Sequence, residues 1–71
     1  MKMQISELAK HFNVSVRTLQ YYDNVGILKP AEVTENGYRF YDDSSVSTME
    51  KILRYKQFGF SLDSISKLLS E

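Results

Sequence analysis

Ile5-Ser-Glu-Leu-Ala-Lys-His-Phe-Asn-Val-Ser-Val-Arg-Thr-Leu-Gln-Tyr-Tyr-Asp23 is the stretch on which the fold turns. Ile5, Leu8, Ala9 and Phe12 recur at i, i+3, i+4 and i+7, which is one face of a helix. Glu7 stands early, where the helix dipole favours an acid. Asn13 tolerates the left-handed conformation that a helix end needs. Ser15 is a good N-cap for a second helix, and Val14 and Leu19 have the spacing of a hydrophobic staple. The second helix is expected from about Val16 to Asn24, with Gly26 ending it. At about 100° per residue, Leu19 and Tyr22 fall on the inward side. Arg17, Gln20, Tyr21 and Asn24 fall on the other, so the adjacent tyrosines do different jobs.

Lys29-Pro30 interrupts the helical pattern. Glu32-Val-Thr34 and Tyr38-Arg-Phe-Tyr41 are β-prone runs separated by Asn36-Gly37, a strong hairpin signal that predicts a type I′ turn with φ > 0 at both positions. Alternation puts Tyr38 and Phe40 on one face of the strand, Arg39 and Tyr41 on the other. Asp42 or Asp43 caps a third helix, whose buried stripe is Val46, Met49, Ile52 and Leu53 and whose end is Gly59. Ser61 caps a fourth, with Leu62, Ile65, Leu68 and Leu69 as its apolar face. Phe58 and Phe60 read as core or lid residues over the last turn.

A chain of 71 residues makes one domain with a thin core. No apolar run approaches the roughly 18 residues that cross a membrane, and no signal peptide is expected. The absence of Cys removes disulfides and thiolate metal sites and fits a cytoplasmic location. With His11 as the sole histidine, no metal site is expected. No phosphate loop, nucleophile elbow or paired carboxylates with a base stand out, so the chain does not read as an enzyme. Nine basic and nine acidic residues cancel, which argues against an indiscriminate nucleic-acid binder. Many acids lie outside the first helix pair, however, so a basic face can survive on a neutral molecule.

Most helix pairs joined by a short turn are core-building hairpins. Three details favour DNA here. The outward face of the second helix carries side chains that reach base edges or phosphates. The N-cap at Ser15 leaves a positive helix end suited to a phosphate. A hairpin follows in position to act as a wing, with Arg39 as a phosphate or minor-groove contact or simply an exposed arginine. Tyr38 and Tyr41 read by themselves as wing-root packing. Near the end of the third helix, Arg54 points well away from the apolar stripe. Lys56 lies at its edge and must snorkel outward, so geometry prefers Arg54 as a contact.

The blocks Ile5-Ser-Glu-Leu-Ala-Lys10, Val14-Ser-Val-Arg-Thr-Leu-Gln-Tyr-Tyr-Asp23, Gly26-Ile-Leu-Lys-Pro30, Asn36-Gly-Tyr-Arg-Phe-Tyr41 and Phe58-Gly-Phe-Ser-Leu62 resemble, in order, the MerR-family DNA-binding domain. The resemblance covers nearly the whole chain. It implies a mainly α, winged helix-turn-helix fold of four helices plus a two-stranded wing, filling residues 1–71. It also implies a regulator that binds a palindromic operator as a dimer and distorts promoter DNA, reaching RNA polymerase indirectly through that DNA. On the same resemblance Arg17 looks like a major-groove or adjacent contact, Tyr21 a phosphate contact, Tyr38 and Arg39 the wing contacts, and Lys56 a further phosphate contact.

The full expected contact set on double-stranded DNA is Ser15, Arg17, Thr18, Gln20, Tyr21, Tyr38, Arg39, Arg54 and Lys56, with no cofactor. Two residues depart from the family pattern: Gln20 stands where members usually carry Arg, and Glu32 where many carry a basic residue. The family's long dimerisation helix and effector domain are absent from the sequence, so a homodimer is expected only with a longer C-terminal helix. Competing readings are an excisionase-like architectural DNA-binding factor and a protein-interaction module that has lost DNA binding.

Overall fold

The computed structural model describes residues 2–70. Chain order is β1 (Met3–Gln4), α1 (Ile5–Phe12), α2 (Val16–Val25), β2 (Glu32–Val33), β3 (Arg39–Tyr41), α3 (Asp43–Gln57) and α4 (Leu62–Leu69). The four helices fall where periodicity placed them, and α2 runs one residue beyond Asn24. Among the described residues no helix is long and apolar enough to cross a membrane.

The helix ends explain the angles between elements. Ser15 Oγ accepts from the Thr18 amide at 3.0 Å, and Asn13 takes the left-handed conformation with φ 55°. Behind Asn13, the Val14 amide donates to the Ala9 carbonyl at 3.0 Å, closing α1 and turning the chain straight into α2. Gly26, at φ 82°, does the same for α2. The Ile27 amide returns to the Tyr22 carbonyl at 2.9 Å, and Ile27 and Leu28 are thereby driven into the core.

The sheet differs from expectation. It has three antiparallel strands in the order β1-β3-β2, so the wing's second strand is the centre of the sheet rather than the edge of a two-stranded ribbon. Met3 pairs with Tyr41 and Gln4 with Phe40 on one side. Glu32 pairs with Phe40 and Val33 with Arg39 on the other. That register leaves Glu35-Asn36-Gly37 as a three-residue loop, closed by Gly37 N–H to Thr34 C=O at 2.9 Å and Thr34 N–H to Tyr38 C=O at 3.0 Å. Only Gly37 has positive φ, so the expected type I′ turn is replaced by the longer hairpin loop that needs one left-handed residue.

Leu8, Leu19, Tyr41, Met49, Ile52 and Ile65 are fully buried at the centre. They come from α1, α2, β3, α3 and α4 and form one cluster. Three apolar side chains depart from the expected core. Phe58, at the C-cap of α3, is 75% exposed. The turn places Gly59 in the left-handed conformation and folds Phe60 back, its amide on the Tyr55 carbonyl and its ring edge-on to Tyr55 at 5.7 Å. Phe60 nevertheless keeps 46% of its surface, and Leu68 keeps 39% because it lies at the border of α4's apolar face.

Asp42 is the residue that starts α3. Its Oδ1 accepts from the Ser44 hydroxyl at 2.6 Å, the Ser44 amide at 3.0 Å and the Ser45 amide at 3.2 Å. These donors, the Ser44 hydroxyl first, hold the Asp42 carboxyl below the usual carboxylate range. A lowered value in the folded state means stability that is complete above the ordinary value of about 4 and is lost as pH falls through the lowered one. The advantage of the parent over Asp42→Ala in urea unfolding is therefore expected to be constant near neutrality. It should shrink on acidification below about pH 4. A gap that stays constant into strong acid contradicts this cap.

Candidate nucleic-acid interface

The outward face of α2 is built as the angular reading required. Arg17, Gln20, Tyr21 and Asn24 are exposed while Leu19 and Tyr22 are buried. Tyr21 keeps 53% of its surface, makes a tilted contact with the Tyr22 ring, centroids 6.5 Å apart, and lines a recess with Val25, Leu62, Asp63 and Ser66. Burial raises the Tyr22 hydroxyl's pKa above its ordinary value, whereas Tyr21 lies on the exposed side of the helix.

Ser15 and Thr18 are engaged with each other, Oγ to Oγ1 at 2.9 Å, and Thr18 is half-buried. Their hydroxyls build the helix start. The first turn of a helix also leaves backbone amides without intrahelical acceptors, and these offer donors to an anion beside the dipole's positive end.

An ion pair ties the wing to α2. Arg39 Nε donates to Asp23 Oδ2 at 3.0 Å, and Lys29 Nζ lies 3.8 Å from Asp23 Oδ1. Arg39 and Tyr41 share the strand face turned toward the helices, as alternation predicted, and Tyr41 is wholly buried. Burial, with the Asp23 charge adding and the Arg39 charge opposing, raises the Tyr41 pKa. The Tyr41 hydroxyl has no hydrogen-bond partner among the described residues. Tyr38 is on the opposite strand face and is 59% exposed. The packing role first read for Tyr41 is what the structure shows, whereas Tyr38 stands clear at the wing's tip.

Two adjacent recesses lie between these elements. One recess is lined by Gln20, Asp23, Asn24 and Arg39. A neighbouring recess is lined by Gln4, Ile5, Gln20, Gly37, Tyr38 and Arg39. Gln20 and Arg39 line both, so the outward face of α2 and the wing are neighbours there. Arg54 lies elsewhere, in a shallow recess with Phe12, Glu50, Leu53 and Gln57 beside the end of α1. Lys56 is exposed in the last turn of α3, so it reaches solvent from the stripe's edge. Glu32, the acid that stood against DNA binding, pairs with Lys2 at 2.6 Å. The Lys2 ammonium lies 5.9 Å over the Phe40 ring. The pair is exposed and adds little stability, but it offsets the Glu32 charge.

Sequence reasoning missed Asp23 as part of this arrangement. The signal was an acid near the C-terminal end of a helix, where the dipole disfavours it.

The chain matches the family model described as MerR HTH family regulatory protein over residues 3–71. It is similar to the HTH-type transcriptional activator mta of Bacillus subtilis, 42% identical over 69 residues covering 97% of this chain and 27% of that protein. The crystal structure of a MerR-family transcriptional regulator from Bacillus cereus superposes with a TM-score of 0.94 at 37% identity, over 100% of this chain and 53% of that one. HiNmlR, a MerR-family regulator lacking the sensor domain and bound to promoter DNA, superposes with a TM-score of 0.87 at 26% identity, over 96% of this chain and 54% of that one. The chain thus spans between about a quarter and a half of the length of these proteins.

Proposed function

This chain belongs to the MerR HTH family of regulatory proteins, and on that premise we propose that it is a winged helix-turn-helix unit over residues 1–71 that binds promoter DNA sequence-specifically in transcriptional regulation. The observation that carries this is the adjacency of the outward face of α2 and the wing, whose two recesses share Gln20 and Arg39. Its likeness to a relative bound to promoter DNA supports the same reading.

Arg17 and Gln20 reach base edges in the major groove, where paired donors and acceptors distinguish bases. Tyr21 and Tyr38 donate hydroxyls to phosphates, and Arg39 contacts phosphate from the wing. Ser15 and Thr18 set the helix end against the backbone. Arg54 and Lys56 extend the phosphate track from the end of α3. In this reading two copies act on a palindromic site, held by a dimerisation helix for which the relatives' greater length leaves room. DNA distortion then carries the signal to RNA polymerase, in the cytoplasm and without a cofactor.

Titration of the isotopically labelled chain with a duplex that it selects from a random-sequence pool tests this. Amide shifts are expected within residues 15–24 and 36–41 and around Arg54 and Lys56. No shift even at low salt would leave a protein-interaction module as the better account.

A further inference from the structure

An acid inside a surface meant for a polyanion needs a reason. Asp23 lies on α2, within the recess that Gln20, Asn24 and Arg39 line, with only 15% of its side chain exposed. Its charge repels phosphate and sits near the helix end that disfavours it. Yet its Oδ2 receives the Arg39 Nε–H at 3.0 Å. That bond uses one of the five guanidinium donors and leaves the four on the terminal nitrogens. Arg39 keeps 46% of its side chain in solvent despite the tether. A long side chain anchored before binding loses less freedom on contact.

We propose that Asp23 is a positioning residue for DNA binding: it holds the Arg39 guanidinium by Nε and presents its remaining edge to a phosphate. The inference rests on the DNA-binding reading above. It also makes Asp23 the strut that fixes the wing's angle to α2, because Arg39 belongs to the central strand of the sheet.

The opposing account, a salt bridge with no bearing on DNA, predicts the opposite sign: removing a carboxylate beside a polyanion tightens binding. The experiment measures affinity across a salt series for the parent, Asp23→Ala, Arg39→Ala and the double variant, on a duplex selected by the parent from a random-sequence pool. Asp23→Ala is expected to weaken binding about tenfold and to flatten the salt slope toward that of Arg39→Ala. In the Arg39→Ala background the same change should leave affinity unchanged or raise it. Equal or tighter binding by Asp23→Ala in both backgrounds overturns the inference alone. A parent that selects no duplex overturns the DNA-binding reading and the inference with it. Because Asp23→Ala can also disturb folding, the Arg39 Nε–H resonance of the parent provides a second measurement. It should hold its hydrogen-bonded position when duplex is added, and a move to the position of unpaired arginines overturns the proposal.

Discussion

Leu19→Ala is expected to unfold most of the molecules at physiological temperature. Leu19 is fully buried where α2 meets the rest of the core. Truncating a buried leucine costs about 2–5 kcal/mol, the larger values where the cavity cannot collapse. A single core in a chain of this size rarely supplies more than about 3–5 kcal/mol in total. No disulfide supplements it, since the chain has no cysteine. The loss is thus comparable to the whole. Urea unfolding followed by circular dichroism checks it, with Leu68→Ala as the contrast because Leu68 is 39% exposed. A Leu19→Ala midpoint close to that of Leu68→Ala would show that α2 does not anchor the core.

Arg17→Ala and Arg39→Ala are expected to weaken DNA binding in distinguishable ways. Arg17 is exposed in the first turn of α2, and the proposed function puts it against base edges in the major groove. Its loss should cost about 1–3 kcal/mol and relax preference at one base position. Arg39 is held at the wing by Asp23. Its loss should weaken binding to every duplex by a similar factor and lower the salt slope by about one. Fluorescence anisotropy with the selected duplex and its single-base variants, at several salt concentrations, separates the two. Uniform weakening by Arg17→Ala would reassign that residue to the phosphates.

What could be read from the residues follows the range of the interactions that set each feature. The inward and outward faces of α2 depend on a period of about 3.6 residues and on the Ser15 cap, both local. The Asp42-Asp43 pair and Ser61 announced their helices for the same reason, with the choice of Asp42 made by the structure. Strand β1 has two residues and no period to detect. Its existence depends on Tyr41 and Phe40, far along the chain. The hairpin was legible, but its loop length depends on register, which Asn36-Gly37 alone does not determine. Phe58 looked apolar enough for the core, and the geometry of the turn at Gly59 turned it outward. Within the candidate site, Arg17, Gln20, Tyr21 and Arg39 were legible by type and face. The role of Asp23 was not, because its partner lies across the fold on another element.

The central position of β3 also orders events in time. As the chain leaves the ribosome, α1 and α2 have each other's contacts within the first 25 residues and can pair early. Met3 and Gln4 have no strand to join until Phe40 and Tyr41 have emerged. Strand β1 is therefore among the later pieces to dock, although it precedes both helices of the first pair.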